Sequence, residues 1–152
     1  FSPSDTIQRV HAAETARLQE KDIEKRLAGA YEKLRKHARD TEKLAKRAIS
    51  FGKQLESKCD ARRITPKSYR QAVIRLEEFM KELVRLPGYS LMIEPVTGHI
   101  VSKLTLVLQT RWTRQTNLQE KARNVAEQLL TLFTAVRDVS KRVREHLDNR
   151  RS

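Results

Sequence analysis

Between residues 98 and 149 the sequence repeats every seven residues. Val101, Leu108, Gln115, Ala122, Leu129, Val136 and Val143 occupy one position (a), and Leu104, Arg111, Leu118, Val125, Leu132, Val139 and His146 follow three residues on (d). Ten of these fourteen residues are Val or Leu and one more is Ala, so the 3.5-residue period demands a helix that buries one seam against other helices. Trp112 and Phe133 at e widen the apolar stripe, which suits a bundle of three or more helices better than a two-stranded seam.

A second heptad run lies in the N-terminal third. Leu27, Leu34, Thr41, Ala48 and Leu55 stand at a, with Ile23, Ala30, His37, Leu44 and Phe51 at d. Ile7, Val10 and Leu18 lie off that seam, which predicts a stutter or a break near 19–22 with Asp22 as a new cap. A third, shorter run has Tyr69, Leu76 and Leu83 at a and Ala72, Phe79 and Leu86 at d, broadened by Val73, Met80 and Val84.

Proline and glycine set the boundaries. Ser2-Pro3-Ser4-Asp5 and Thr65-Pro66 read as helix starts, Leu86-Pro87-Gly88 as a stop, and Glu94-Pro95 with Thr97-Gly98 as the close of a short irregular segment. The expected fold is therefore all-α, an elongated antiparallel helical bundle or coiled coil of three main helices near 4–58, 66–86 and 98–149. It forms a single domain over 1–152, with 1–21 a candidate separate or kinked helix and 87–98 an ordered connection.

If that connection climbs back along the middle helix, the two long helices pair antiparallel with Thr41 near Gln115; otherwise they run parallel and overhang. The antiparallel form is favoured because it pairs both long seams. A small hairpin within 91–108 competes with the helix there, but the heptad continues unbroken from Val101. The residues expected to pack helices or dock a partner are Leu27, Leu34, Leu44, Phe51, Leu55, Leu118, Leu129, Leu132, Val136, Val139 and Val143. His37, Thr41, Arg111, Gln115 and His146 interrupt the seams and are read as register-fixing, with a pH-sensitive contact at His37 or His146 as the alternative.

Function is constrained mainly by exclusion and by charge. The single cysteine, Cys59, cannot form an intrachain bridge and reads as a partly buried residue near a helix end. The four histidines have no metal-ligand spacing, and no phosphate-binding loop, nucleophile elbow or kinase or deaminase signature occurs. No cofactor and no enzymatic activity are expected. Apolar runs are too short for a membrane span. The expected setting is intracellular with the compartment open, because a chain starting at Phe1 leaves room for a removed targeting segment.

The 32 Lys+Arg outnumber the 19 Asp+Glu, for a net charge of +13. Cations concentrate at Lys33, Arg35, Lys36, Arg39, Lys43, Lys46 and Arg47, all off the a/d seam, and again at Arg137, Lys141, Arg142, Arg144, Arg150 and Arg151. The first seven, with Arg137, Lys141, Arg142 and Arg144, are the candidate polyanion-binding residues; a merely solvated face is the plainer alternative. The chain is thus expected to be a non-enzymatic interaction or scaffold module. It would dock partner helices, or itself, through heptad seams and hold a polyanion on a basic face. The alternatives are a structural component of a ribonucleoprotein or DNA-associated complex, contacting the backbone without reading sequence, and a peripheral binder of anionic membranes.

Overall fold

Helix-favouring side chains and few prolines or glycines leave long stretches with nothing to interrupt a helical ladder. In the computed structural model, which describes residues 3–110 and 117–150 and only the backbone of 105–110, no strand forms among the described residues. Four α-helices succeed one another: α1 (Pro3–Asp60), α2 (Pro66–Arg85), α3 (Glu94–Thr110) and α4 (Leu118–Asn149), with a π-helical turn at Tyr89–Ile93 ahead of α3.

The expectation of three helices is corrected at two places. The run over 98–149 is divided, because Asn117 caps a new helix: its Oδ1 accepts the Gln119 N–H at 2.9 Å. The segment around Glu94-Pro95 is helical and not an irregular closure. Pro95 falls in the first turn of α3, where its missing N–H removes no intrahelical bond. The wider turn before it is closed by the Glu94 N–H donating to the Tyr89 carbonyl. The competing hairpin within 91–108 does not form, and the helix favoured by the unbroken heptad runs there instead.

Contacts divide the chain into two units, Phe1–Leu34 and Arg35–Ser152. The first consists of the N-terminal part of α1. Residues 3–30 are all exposed, including Ile7, Val10, Leu18, Ile23 and Leu27. The helix continues through 19–22 without the expected break, and Asp22 makes an ion pair with Arg26 at 3.1 Å where a cap was expected.

The second unit holds the rest of α1 with α2, α3 and α4. Its register is visible in cross-helix pairs: Arg35 meets Asp148, Glu42 meets Arg144, Gly52 meets Leu129 and Leu130, and Asp60 meets Arg123. Numbers rise along α1 as they fall along α4, so the two run antiparallel. The expected neighbour of Thr41, Gln115, lies outside the described residues, and the C-terminal turns of α4 stand at that level. α2 is antiparallel to α1, since Arg47 meets Glu82 and Phe51 meets Phe79. α3 lies against α4, with His99, Ile100 and Lys103 across a cleft from Glu127, Gln128 and Thr131.

Local chemistry explains the turns. α1 ends with Arg62 N–H donating to the Cys59 carbonyl and Arg63 N–H to the Lys58 carbonyl, a paired closure around a left-handed residue. Thr65 and Ser68 then cap α2 reciprocally, and Pro66 supplies its first residue. Gln119 on α4 donates to the Ile64 carbonyl at 3.2 Å, tying α4 to this turn.

The core of the second unit centres on Leu44, Ala48 and Leu55 of α1, Leu76, Phe79 and Leu83 of α2, Ile93, Leu104, and Leu129, Leu132, Phe133 and Val136 of α4. Phe79 meets Phe133 edge-on at 5.9 Å and Phe51 at 6.0 Å. Gly52 permits the close approach of α1 and α4, since a Cβ there would lie 2.7 Å from a Leu129 methyl.

Candidate polyanion-binding face

The outer face of α1 within the second unit carries Lys36, Arg39, Lys43, Lys46 and Arg47, all exposed. At 100° per residue they occupy an arc of about 100° and extend about 16 Å along the axis. Lys33 is also exposed and belongs to the first unit. Lys36, Arg39 and Lys43 pair with no carboxylate among the described residues. Lys46 approaches Glu42 at 3.7 Å, and Arg47 donates to Glu82 at 2.9 Å.

Arg35 and Arg144 differ from the rest of the expected set in being engaged with α4 or with α1 across the helix pair. Arg35 is 3% exposed, its Nη2 donates to the Leu147 carbonyl at 3.3 Å, and its Nε sits 3.0 Å from Asp148 Oδ1. Arg144 donates through Nε to Glu42 Oε2 at 2.8 Å and lies 3.6 Å from Asp148. Asp148, Arg144 and Glu42 thereby link Arg35 to Lys46 in a chain of alternating charge that locks α1 to α4. Glu42 lies well inside this chain. Hydrogen bonding to Arg144 holds its carboxyl below the usual value, against desolvation that acts the other way. The same pair raises the Arg144 guanidinium above its ordinary value.

The remaining α4 cations are partly countered. Arg137 lies 3.5 Å from Asp138 and Lys141 4.0 Å from Glu145, while Arg142 is exposed. The positive charge is also unevenly divided between units. Residues 1–34 hold six basic and six acidic side chains, and residues 35–152 hold 26 and 13, so the whole +13 belongs to the second unit.

Of the expected packing residues, Leu44, Leu55, Leu129, Leu132 and Val136 are buried within the chain's own core. Phe51, Leu118, Val139 and Val143 are half-buried there, so none of these nine is a bare seam. Leu34 is half-buried and Leu27 exposed, both in the first unit. Thr41 is buried with its hydroxyl donating to the His37 carbonyl at 2.7 Å, whereas His146 is exposed and does not belong to the seam. Arg111, Trp112, Gln115 and Arg151 lie outside the described residues.

One feature was not legible in the heptads. A cleft of about 480 Å³ opens between α1 and α2, rimmed by Lys46, Arg47, Ser50, Gln54 and Arg75, with Phe51 and Phe79 at its base. The four-residue step from Arg75 to Phe79 puts both on one helix face and is the only hint of it in the sequence. Cys59 is buried one residue before the end of α1, and burial pushes its thiol up, away from nucleophilic chemistry. Among the described residues no group of three or more His, Cys, Asp or Glu could hold a metal, and no helix is long and apolar enough to cross a membrane. Comparison with protein-family models, curated proteins and solved structures finds no match to this chain.

Proposed function

We propose that this chain is a non-enzymatic helical module that holds a polyanion, a nucleic-acid backbone in the first place, on the outer face of α1. The observation that carries the reading is the row Lys36, Arg39 and Lys43, exposed and without carboxylate partners, on a unit that accounts for the entire net charge. Cations of this kind release condensed counterions on meeting phosphates, an affinity independent of sequence. Between residues 36 and 47 no exposed position of α1 is apolar, which favours a hydrated polyanion over a membrane surface, where bulky apolar groups must enter the interface.

The first unit supports the scaffold half of the reading. Ile23, Leu27 and Leu34 continue a heptad seam on a helix whose apolar side chains are largely uncovered, a face suited to a partner helix or to self-association. The deciding experiment is binding of single-stranded RNA, duplex DNA and anionic vesicles across a salt series. Nucleic-acid binding that weakens steeply with salt is expected. Absence of binding at low salt, or binding to vesicles alone, refutes the reading.

A further inference from the structure

We infer that the cleft between α1 and α2 is a subsite for one unpaired nucleotide of a single-stranded nucleic acid, a reading that rests on the polyanion face proposed above. The cleft differs from the rest of that face in holding a preorganised plane. The Arg75 guanidinium carbon stands 4.4 Å from the centroid of the Phe79 ring, and that of Arg47 stands 5.8 Å from the same centroid. Phe79 is 1% exposed and itself braced edge-on by Phe133, so the ring is a fixed support and not the contact surface.

Each guanidinium is also held from the side by one carboxylate. Arg75 donates to Glu78 at 3.0 Å and Arg47 to Glu82 at 2.9 Å, each through Nη1. Arg75 nevertheless keeps 41% of its side chain exposed. The guanidinium therefore lies over the ring while part of the side chain stays open in the cleft it lines, where a flat base can stack on it.

The surrounding groups match the rest of a nucleotide. Lys46 and Arg47 offer positive charge to its phosphate, continuous with the row along α1. Ser50 and Gln54, both exposed, bring a hydroxyl and an amide that can donate to or accept from a base edge. A bare phosphate would use only the cations. A base inside a duplex would have neither its face nor its pairing edge free, so the occupant is an unpaired nucleotide.

The test compares a deoxythymidine oligomer, an abasic oligomer of equal length and the corresponding duplex, by fluorescence anisotropy at one salt concentration. The whole chain should bind the base-bearing single strand about tenfold more tightly than the abasic one, within what one stacked base contributes. Arg75→Lys, which keeps the charge and removes the plane, should erase that preference. Gln54→Ala, at an exposed position, should reduce the preference in the same way. Lys43→Ala should weaken both single strands equally. Equal binding of the two oligomers, a preference that survives Arg75→Lys and Gln54→Ala, or tighter binding of duplex overturns the subsite and leaves the polyanion face standing. No binding of any of the three at low salt overturns the polyanion face itself.

Discussion

Arg62 closes α1 with φ at 55°, the left-handed region where a side chain is crowded and glycine is not. Its backbone is held there by the two closing hydrogen bonds of the helix end, and its side chain is exposed. Arg62→Gly is therefore expected to stabilise the fold by about 0.5–1 kcal/mol, seen as a rise of a few degrees in thermal midpoint, with Arg62→Ala near neutral. Glu42 shows the opposite kind of dependence. Its folded carboxyl titrates below its ordinary value of 4.5, so the stability it contributes is fully present above that value and is lost as pH falls through the lower folded one. Glu42→Gln should cost about 1–3 kcal/mol at pH 7, because the Arg144 bond loses its charge. In urea titrations the gap between the variant and the parent should begin to narrow as pH falls below 4.5 and close once pH is below the lower folded value; a gap that does not narrow at all would assign the loss to packing instead. Neither Arg35 nor Arg144 could be removed from the basic set on sequence alone. Both stand off the seam by heptad count, and their burial or pairing exists only because α4 returns along α1 and brings Asp148 and Glu42 within reach.

Within α4 the buried stripe narrows toward heptad position e. Ala122, Val125, Leu129, Leu132 and Val136 at a and d are buried beside Ala126 and Phe133 at e, but in the last turns only the e residues Ser140 and Leu147 stay buried, while Val139 and Val143 are half-buried and His146 is exposed. A straight helix of 3.6 residues per turn drifts about 20° per heptad against a strict seven-residue repeat, which moves the buried line from d toward e. The apolar pattern made α4 legible as a packed helix, and this drift hid which residues of its final turns face inward. Leu147→Ala should consequently cost about 2 kcal/mol or more, and Val143→Ala less than about 1.5 kcal/mol, in urea unfolding midpoints. A strict coiled coil would reverse the order. The division between α3 and α4 was hidden for a different reason: the heptad frame is shared by both helices, and only the Asn117 cap marks the start of the second. α2 was legible almost to the residue because Thr65, Pro66 and Leu86-Pro87-Gly88 carry local start and stop chemistry that needs no tertiary partner.

At the scale of the whole chain, a net charge of +13 becomes a property of one unit. Residues 1–34 are neutral in sum and expose apolar side chains, whereas residues 35–152 carry all of the excess and, among the described residues, bury most of their apolar heptad residues. This separation predicts how salt should act. Each phosphate contact adds a slope of about 0.7 to the fall of log affinity with log salt on a single strand. Replacing Lys36, Arg39 and Lys43 together by alanine should therefore lower that slope by about two units. Replacing Arg17, Lys21 and Lys25, which are as exposed but lie on the neutral unit, should leave it unchanged although the net charge falls equally. Anisotropy titrations of a single-stranded oligomer over a range of salt concentrations read both slopes directly. Equal losses in the two triple variants would mean that the ligand responds to the total charge of the chain, and the outer face of α1 would then have no special claim on it.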